Sequence, residues 1–219
     1  MGVFDIVGPV MIGPSSSHTA GAARIGLMAR NILRDEPVRA DITLYGSFAR
    51  TYRGHGTDKA LIAGLLGLSA DDVRLRHSFD LAHQAGLAFS FTRSDEVPDH
   101  PNTAKIEMVG KTGKKAEVVG VSLGGGRISI REINGFIAEI SGEEHTLITL
   151  HRDQPGIIAR ATTLMAEGNI NVSTMKVFRS AKYADAVMIV CTDSPVPPDM
   201  VEAIGEIPAV QDVITLLPL

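Results

Sequence analysis

The run Thr146-Leu147-Ile148-Thr149-Leu150, then Asp153-Gln154-Pro155-Gly156-Ile157-Ile158, then Gly168-Asn169-Ile170-Asn171-Val172, decides how the C-terminal third of this chain folds. The first segment is rich in β-branched residues and reads as a buried or half-buried strand. Asp153-Gln154-Pro155-Gly156 has turn composition. After it Ile157, Ile158, Ala161, Leu164 and Met165 recur at helical spacing, which predicts a helix over 157–167 with Gly168 stopping it in the C′ role. Two strands follow, over 169–178 and 184–192, joined by a turn near 180–182. Pro197-Pro198-Asp199 opens a second helix reaching about Glu206, and Val210, Val213, Ile214 and Leu216 mark a last strand. The order βαββαβ is a ferredoxin-like split β-α-β unit.

Upstream, Ser141-Gly142-Glu143-Glu144 reads as a linker, so we expect an N-terminal domain over 1–142 and a C-terminal one over 145–219. Ala104, Ile106 and Met108 alternate with Lys105 and Glu107, and a Lys111-Thr112-Gly113-Lys114 turn joins that strand to a partner over 116–121. A further strand at 128–130 follows the triplet Gly124-Gly125-Gly126. Nearer the start, strands are expected around 3–7 and 40–46. Helices are expected over 20–33, with Ala22, Ile25, Met28, Ala29 and Ile32 on one face, and over 57–66, ended by Gly67. Ser69 reads as the cap of the segment holding Asp71-Asp72. The fold class is therefore α+β, with an α/β N-terminal part.

Composition narrows the function classes. A net charge of −4, 5% aromatic residues and no basic stripe argue against nucleic-acid binding. No apolar run is long enough for a membrane helix, and Met1-Gly2-Val3-Phe4-Asp5 lacks a basic leader, so a cytoplasmic protein is expected. The single cysteine, Cys191, can neither close an internal disulfide nor hold a metal cluster, and its apolar flanks read as a buried strand.

Chemistry concentrates in Gly13-Pro14-Ser15-Ser16-Ser17-His18-Thr19. A Gly-Pro turn leads hydroxyls into a helix start, where free N–H groups and the positive end of the helix suit a carboxylate or phosphate. His18 stands beside that cradle with a pKa near neutrality, fit for proton transfer. The plainer alternative is one capping serine with the rest solvated. Gly54-His55-Gly56-Thr57-Asp58 reads as a second polar loop, or as an ordinary one. His100-Pro101-Asn102-Thr103 reads as a site loop or as an Asx-type turn. In the C-terminal domain Asp153, Gly156, Asn169 and Asn171 form either an amino-acid-binding turn or a plain strand–turn–helix connection.

Taken together these strings resemble a known family. His145-Thr146-Leu147-Ile148 with Asp153-Gln154-Pro155-Gly156-Ile157 and Asn169-Ile170-Asn171-Val172 resembles the ACT domain of amino-acid-responsive enzymes. Ile12-Gly13-Pro14-Ser15-Ser16-Ser17-His18-Thr19-Ala20-Gly21, with Gly54-His55-Gly56-Thr57-Asp58 and His100-Pro101-Asn102-Thr103, is similar to the iron–sulfur-dependent L-serine dehydratases, in the beta subunit of their two-chain form. The resemblance implies conversion of L-serine to pyruvate and ammonia. It implies Ser15, Ser16, Ser17 and Thr19 on the substrate, His18 moving a proton, and His100 and Asn102 as secondary contacts. It also implies an allosteric or substrate-binding subdomain over about 40–140, with His55, Thr57 and Asp58 as polar contacts, and regulatory contacts at Asp153, Gly156, Asn169 and Asn171. With one cysteine here, a 4Fe-4S cluster would have to come from a cysteine-bearing alpha subunit, and the ACT domain would self-associate. Competing readings are an amino-acid-sensing regulator without enzyme activity and a piece akin to the regulatory part of phosphoglycerate dehydrogenases; the latter leaves the serine-rich loop unexplained.

Overall fold

The computed structural model describes residues 10–219, and the strand expected at 3–7 lies outside the described residues. The chain divides into two compact units, the first ending at Gly135 and the second running from Phe136 to Leu219.

The first unit begins with a π-helical turn, Ser16–Ala20, that runs without a break into helix α1, Gly21–Leu33. Strand β1, Pro37–Tyr45, leads directly into α2, Gly46–His55, and then α3, Thr57–Leu65. A 3-10 turn, Val73–His77, and α4, Ser78–Gln84, precede β2, Ala88–Arg93. Three strands then follow, β3 Asn102–Gly110, β4 Lys115–Gly124 and β5 Arg127–Ile133. They lie in the order β2-β1-β3-β4-β5. β1 and β2 are parallel, with the helices of the crossover between them; the remaining neighbours are antiparallel.

Helix α1 buries Ile25, Met28 and Ile32, each contributing roughly 1.5–3 kcal/mol of transfer free energy. It reaches the sheet at Gly120, where an added Cβ would stand 2.7 Å from the Ile25 side chain. Against α3 it packs backbone to backbone. A Cβ at Gly26 would meet the Leu61 carbonyl oxygen at 2.3 Å, and one at Gly64 would meet the Ala23 carbonyl oxygen at 2.1 Å. Two glycines therefore set the separation of the helices whose N-terminal ends carry the polar motifs.

Local expectations hold in part. Gly67, at φ +85°, ends α3 with the Leu68 N–H donating to Ala63 O and the Gly67 N–H to Gly64 O, a Schellman motif. The helix α2 was not foreseen: Gly54 and His55 lie inside it, and only Gly56, at φ +70°, is a joint between helices. Ser69 is not the cap of the following turn; its hydroxyl donates to Asp71 Oδ1 at 2.5 Å. Asp72 caps instead, accepting from the Arg74 N–H, and the Arg74 guanidinium holds its carboxyl at about 2.

The second unit opens with β6, Phe136–Ile140, and continues β7 His145–Arg152, α5 Ile157–Glu167, β8 Val172–Arg179, β9 Asp185–Thr192, α6 Pro198–Gly205 and β10 Val210–Leu216. The antiparallel order β10-β7-β9-β8 is the ferredoxin-like arrangement read from the sequence. Leu147, Met188 and Val190 from the sheet meet Ala161, Met165, Met200 and Ile204 from the helices in one core. Among the described residues no helix is long and apolar enough to cross a membrane.

Candidate active site

Ser15, extended at φ −144°, is the N-cap of the π-turn, and its hydroxyl accepts from the His18 N–H at 3.2 Å. The capping reading of this serine is therefore correct, but the wider loop does more than cap. A π-turn offsets successive side chains differently from an α-helix, and such turns recur at functional positions. Here it swings the His18 ring inward, leaving 8% of the residue exposed. Its Nδ1 lies 3.2 Å from Ser17 Oγ and 3.4 Å from Ser15 Oγ; its Nε2 lies 3.1 Å from Ser47 Oγ. The edge of Phe48 and the ring of His55 close the remaining sides, at 5.3 and 4.7 Å between centroids. The Ser16 hydroxyl, part-exposed, has no partner among the described residues.

This enclosure governs the charge on His18. Burial, followed by the neighbouring His55, pushes its pKa below 6.5, so the ring is neutral at physiological pH. A neutral imidazole framed by hydroxyls can accept a proton or donate a hydrogen bond, but is not a fixed cation.

Thr19 donates to the His55 carbonyl at 3.1 Å, tying the π-turn to the end of α2. Beyond Gly56, Thr57 and Asp58 form the buried first turn of α3. Desolvation raises the Asp58 pKa despite an accepted hydrogen bond from the Lys59 N–H at 2.8 Å. The folded state thus favours the neutral Asp58 acid, and the stability this contributes below the unfolded pKa is lost as pH rises through the folded pKa. We expect Asp58→Asn, which keeps the accepted bond, to raise Tm at pH 7 relative to the parent. The gain should vanish near pH 4, as measured by thermal melts across that range.

Asn102 sits beside the start of α2, bridged to Gly46, while the Pro101 carbonyl accepts from the N–H groups of Ser47 and Phe48 at 2.6 and 3.3 Å. The 100–103 turn is held by His100, not by an Asx turn. Its Nδ1 accepts from the Asn102 N–H at 3.2 Å and its carbonyl from Thr103 Oγ1 at 2.6 Å. Burial, with a lesser effect of Arg131, lowers the His100 pKa. The Asn102 amide donates to Ser122 O at 3.4 Å.

Ser47, Phe48 and Ser122 were not among the residues singled out in the sequence. Ser47 had a signal, a Gly-Ser pair at a strand end; Ser122, in a strand of β4, had none. The buried side-chain atoms without partners among the described residues include His55 Nδ1, Thr57 Oγ1, Asn102 Oδ1 and Ser122 Oγ, all in this region. Each such atom costs about 1–3 kcal/mol when left unmet.

Comparison with known proteins matches residues 2–86 to the serine dehydratase beta chain family and residues 145–209 to the ACT domain family. A probable L-serine dehydratase beta chain of Bacillus subtilis is 44% identical over 94% of this chain and 93% of its own. The L-serine dehydratase beta chain of Peptoniphilus asaccharolyticus is 38% identical over 92% and 91%. This chain belongs to the L-serine dehydratase beta-chain family. A D-3-phosphoglycerate dehydrogenase of Synechocystis is more distant, 26% identical over 89% of this chain and 35% of its own.

The ACT domain of this beta-chain family member does not gather its four candidate residues into one site. Asp153 and Gly156 stand before α5, whereas Asn169 and Asn171 follow it, at opposite ends of a helix about 16 Å long. Asp153 is occupied by the Arg179 guanidinium and the Tyr183 N–H, both at 3.1 Å, and these contacts lower its pKa. Gly156, at φ +94°, is the N-cap. The expected C′ role of Gly168 is taken by Asn169: Gly168 has φ −84°, Asn169 φ +56°, and the Ile170 N–H donates to Met165 O. The asparagine side chain tolerates the left-handed conformation, and Gly168 lies against the methyl end of the Met200 side chain. Asn171 donates to Asp193 at 2.6 Å.

The chain's residues do not fit an iron–sulfur cluster. Its one cysteine is buried beside Thr146 in the sheet, with its pKa raised by burial, and no cluster of three His, Cys, Asp or Glu that could hold a metal is found among the described residues.

Proposed function

We propose that this chain supplies the carboxylate-gripping and proton-moving half of an L-serine ammonia-lyase active site, which a separate alpha chain completes with a 4Fe-4S cluster. The observation that carries this reading is the convergence on His18 of a serine-lined helix start, a second histidine and buried polar atoms without partners. A small zwitterion and an apposed subunit together would meet those atoms.

Converting L-serine to pyruvate and ammonia removes the Cα proton and the β-hydroxyl, and water later takes the place of the amino group. On this reading the Ser16 hydroxyl, with Ser15 and Ser17, orients the substrate carboxylate at the positive end of the π-turn and α1. His18 Nδ1 faces those same hydroxyls, the side on which a carboxylate held there would present its Cα–H. A neutral imidazole can accept that proton, with Ser47 holding Nε2. Loss of the hydroxyl is left to the partner. The ACT domain is the regulatory part, and its sheet edges β8 and β10 are available for pairing with a second copy.

Co-expression with a cysteine-bearing alpha chain under anaerobic conditions is expected to yield a complex that forms pyruvate from L-serine, while each chain alone forms none. Pyruvate formation by this chain in isolation, or a stable cluster-loaded complex inert toward L-serine, would overturn the reading.

A further inference from the structure

Of the seven Phe and three Tyr in the chain, Phe79, Phe89, Phe91 and Tyr52 gather at one edge of the first unit's sheet. Strand β2 forms that edge, and among the described residues β1 is its one neighbour. Between ring centroids Phe89 lies 5.0 Å from Phe79 and 6.0 Å from Phe91, and Phe91 lies 6.0 Å from Tyr52. All four rings are half-buried, and no residue of β2 is fully buried, whereas Ile42 and Leu44 of β1 are. The strand Ala88-Phe89-Ser90-Phe91-Thr92-Arg93 holds neither proline nor lysine, the residues that commonly blunt an exposed edge, and its ladder with β1 runs without a bulge.

We propose that β2 pairs antiparallel with β2 of a second copy of this chain, across a twofold axis at Ser90. Residues directly opposite in an antiparallel pair share a face of the sheet, so the axis falls on a residue and not between two. Placed on Ser90, it sets Phe89 opposite Phe91 of the second copy, and Phe91 opposite Phe89. These two aromatic pairs lie on the face where α4 and Tyr52 already supply rings. Placed on Phe91, the axis would set Phe89 against Arg93 and keep a single aromatic pair. Charge agrees with the Ser90 register. Arg93 is the strand's one ionisable side chain, and among the described residues it has no ion-pair or hydrogen-bond partner. It then stands opposite Leu87 of the second copy, just past the carbonyl end of α4, where a cation is favoured, and no like charges meet. The outward backbone groups of β2 gain partners, and the sheets of two first units become one. This contact is independent of the serine loop and of the ACT strand edges.

The test uses the full chain, whose own cysteine is buried and leaves the surface free for a single reporter thiol. Ser90 and Thr92 are both exposed, so substitution at either spares the core. On the axis, two Ser90 Cα atoms stand roughly 4.5–5.5 Å apart, within disulfide reach, whereas two Thr92 Cα atoms are about 14 Å apart. Ser90→Cys is therefore expected to cross-link into a dimer under copper-phenanthroline oxidation, seen on a non-reducing gel, and Thr92→Cys at least about tenfold less. Ser90→Lys sets two lysines directly opposite each other and is expected to halve the sedimentation mass of the parent at equal concentration. Failure of Ser90→Cys to cross-link, equal cross-linking of Thr92→Cys, or a Ser90→Lys chain with the parent's mass would overturn the proposal. So would a monomeric parent whose capture of a co-expressed alpha chain is lost in Ser90→Lys, since the edge would then belong to that chain. Pyruvate formation is not part of the readout, so this proposal and the dehydratase reading can fail independently.

Discussion

His18→Ala, in the chain assembled with its alpha partner, is expected to lower kcat for pyruvate formation about a hundred- to ten-thousand-fold, the range that positioned proton transfer supplies. The cost should fall on kcat more than on KM, because the carboxylate grip rests on the serine hydroxyls and the helix start. The pH profile gives a second check. Burial and His55 hold the His18 pKa below 6.5, so the neutral base persists to lower pH than a free histidine would allow. The acid limb of kcat/KM should therefore lie below 6.5 in the parent. Ser47→Ala, which frees Nε2, should move that limb without abolishing turnover. Activity within threefold of the parent in His18→Ala would remove the ring from the chemistry. The same burial predicts a stability effect of one sign. A ring whose folded pKa is depressed contributes stability above 6.5 that is lost as pH falls, so His18→Gln should flatten the acid side of the stability curve.

Gly64→Ala is expected to cost about 3 kcal/mol of folding free energy, a large share of the roughly 5–15 kcal/mol that holds a domain of this kind together. An added Cβ would stand 2.1 Å from the Ala23 carbonyl oxygen and 2.5 Å from the Leu27 nitrogen, both backbone atoms that no rotamer change can move. α1 and α3 would have to separate, and with them the π-turn carrying His18 and the first turn carrying Thr57 and Asp58. Gly54→Ala is the matched control. It lies inside α2 with nothing within 4 Å of its would-be Cβ, so it should gain roughly 0.5–1 kcal/mol from helix propensity. Urea unfolding of the three proteins checks both, and a Gly64→Ala variant within 1 kcal/mol of the parent would contradict the close-packing account.

Periodicity made the second unit legible before any coordinates. Ile157–Glu167 is the helix that the apolar spacing 157, 158, 161, 164, 165 marks out, and the strand order follows from short connections. Caps were less legible. Gly67 takes the left-handed position expected of it, whereas at the end of α5 that position passes to Asn169, because a glycine and an asparagine stand side by side and both residue types tolerate that conformation. Helix α2 escaped notice because Gly54 and Gly56 flank His55 with loop-like composition, although tertiary packing of Phe48 and Ala49 carries the helix through.

The serine-rich loop and its histidine were plain in the sequence because hydroxyls crowded before a helix are a local, contiguous pattern. Their neighbours in space were not. Ser47 lies 29 residues from His18 and Ser122 more than 100, and a single serine in a strand or at a helix start carries no period or spacing of its own. What the linear order determined by itself is the element pattern, the split into a polar N-terminal motif and a βαββαβ end, and the want of cysteines for a cluster, since each depends on neighbours along the chain. What only the folded chain decided is the neutral state of His18, the spacing of its helices through Gly26 and Gly64, and that Asn169 rather than Gly168 takes the left-handed position ending α5. Burial, electrostatic neighbours and backbone contact are properties of distance in space, which residues far apart in the chain acquire only on packing.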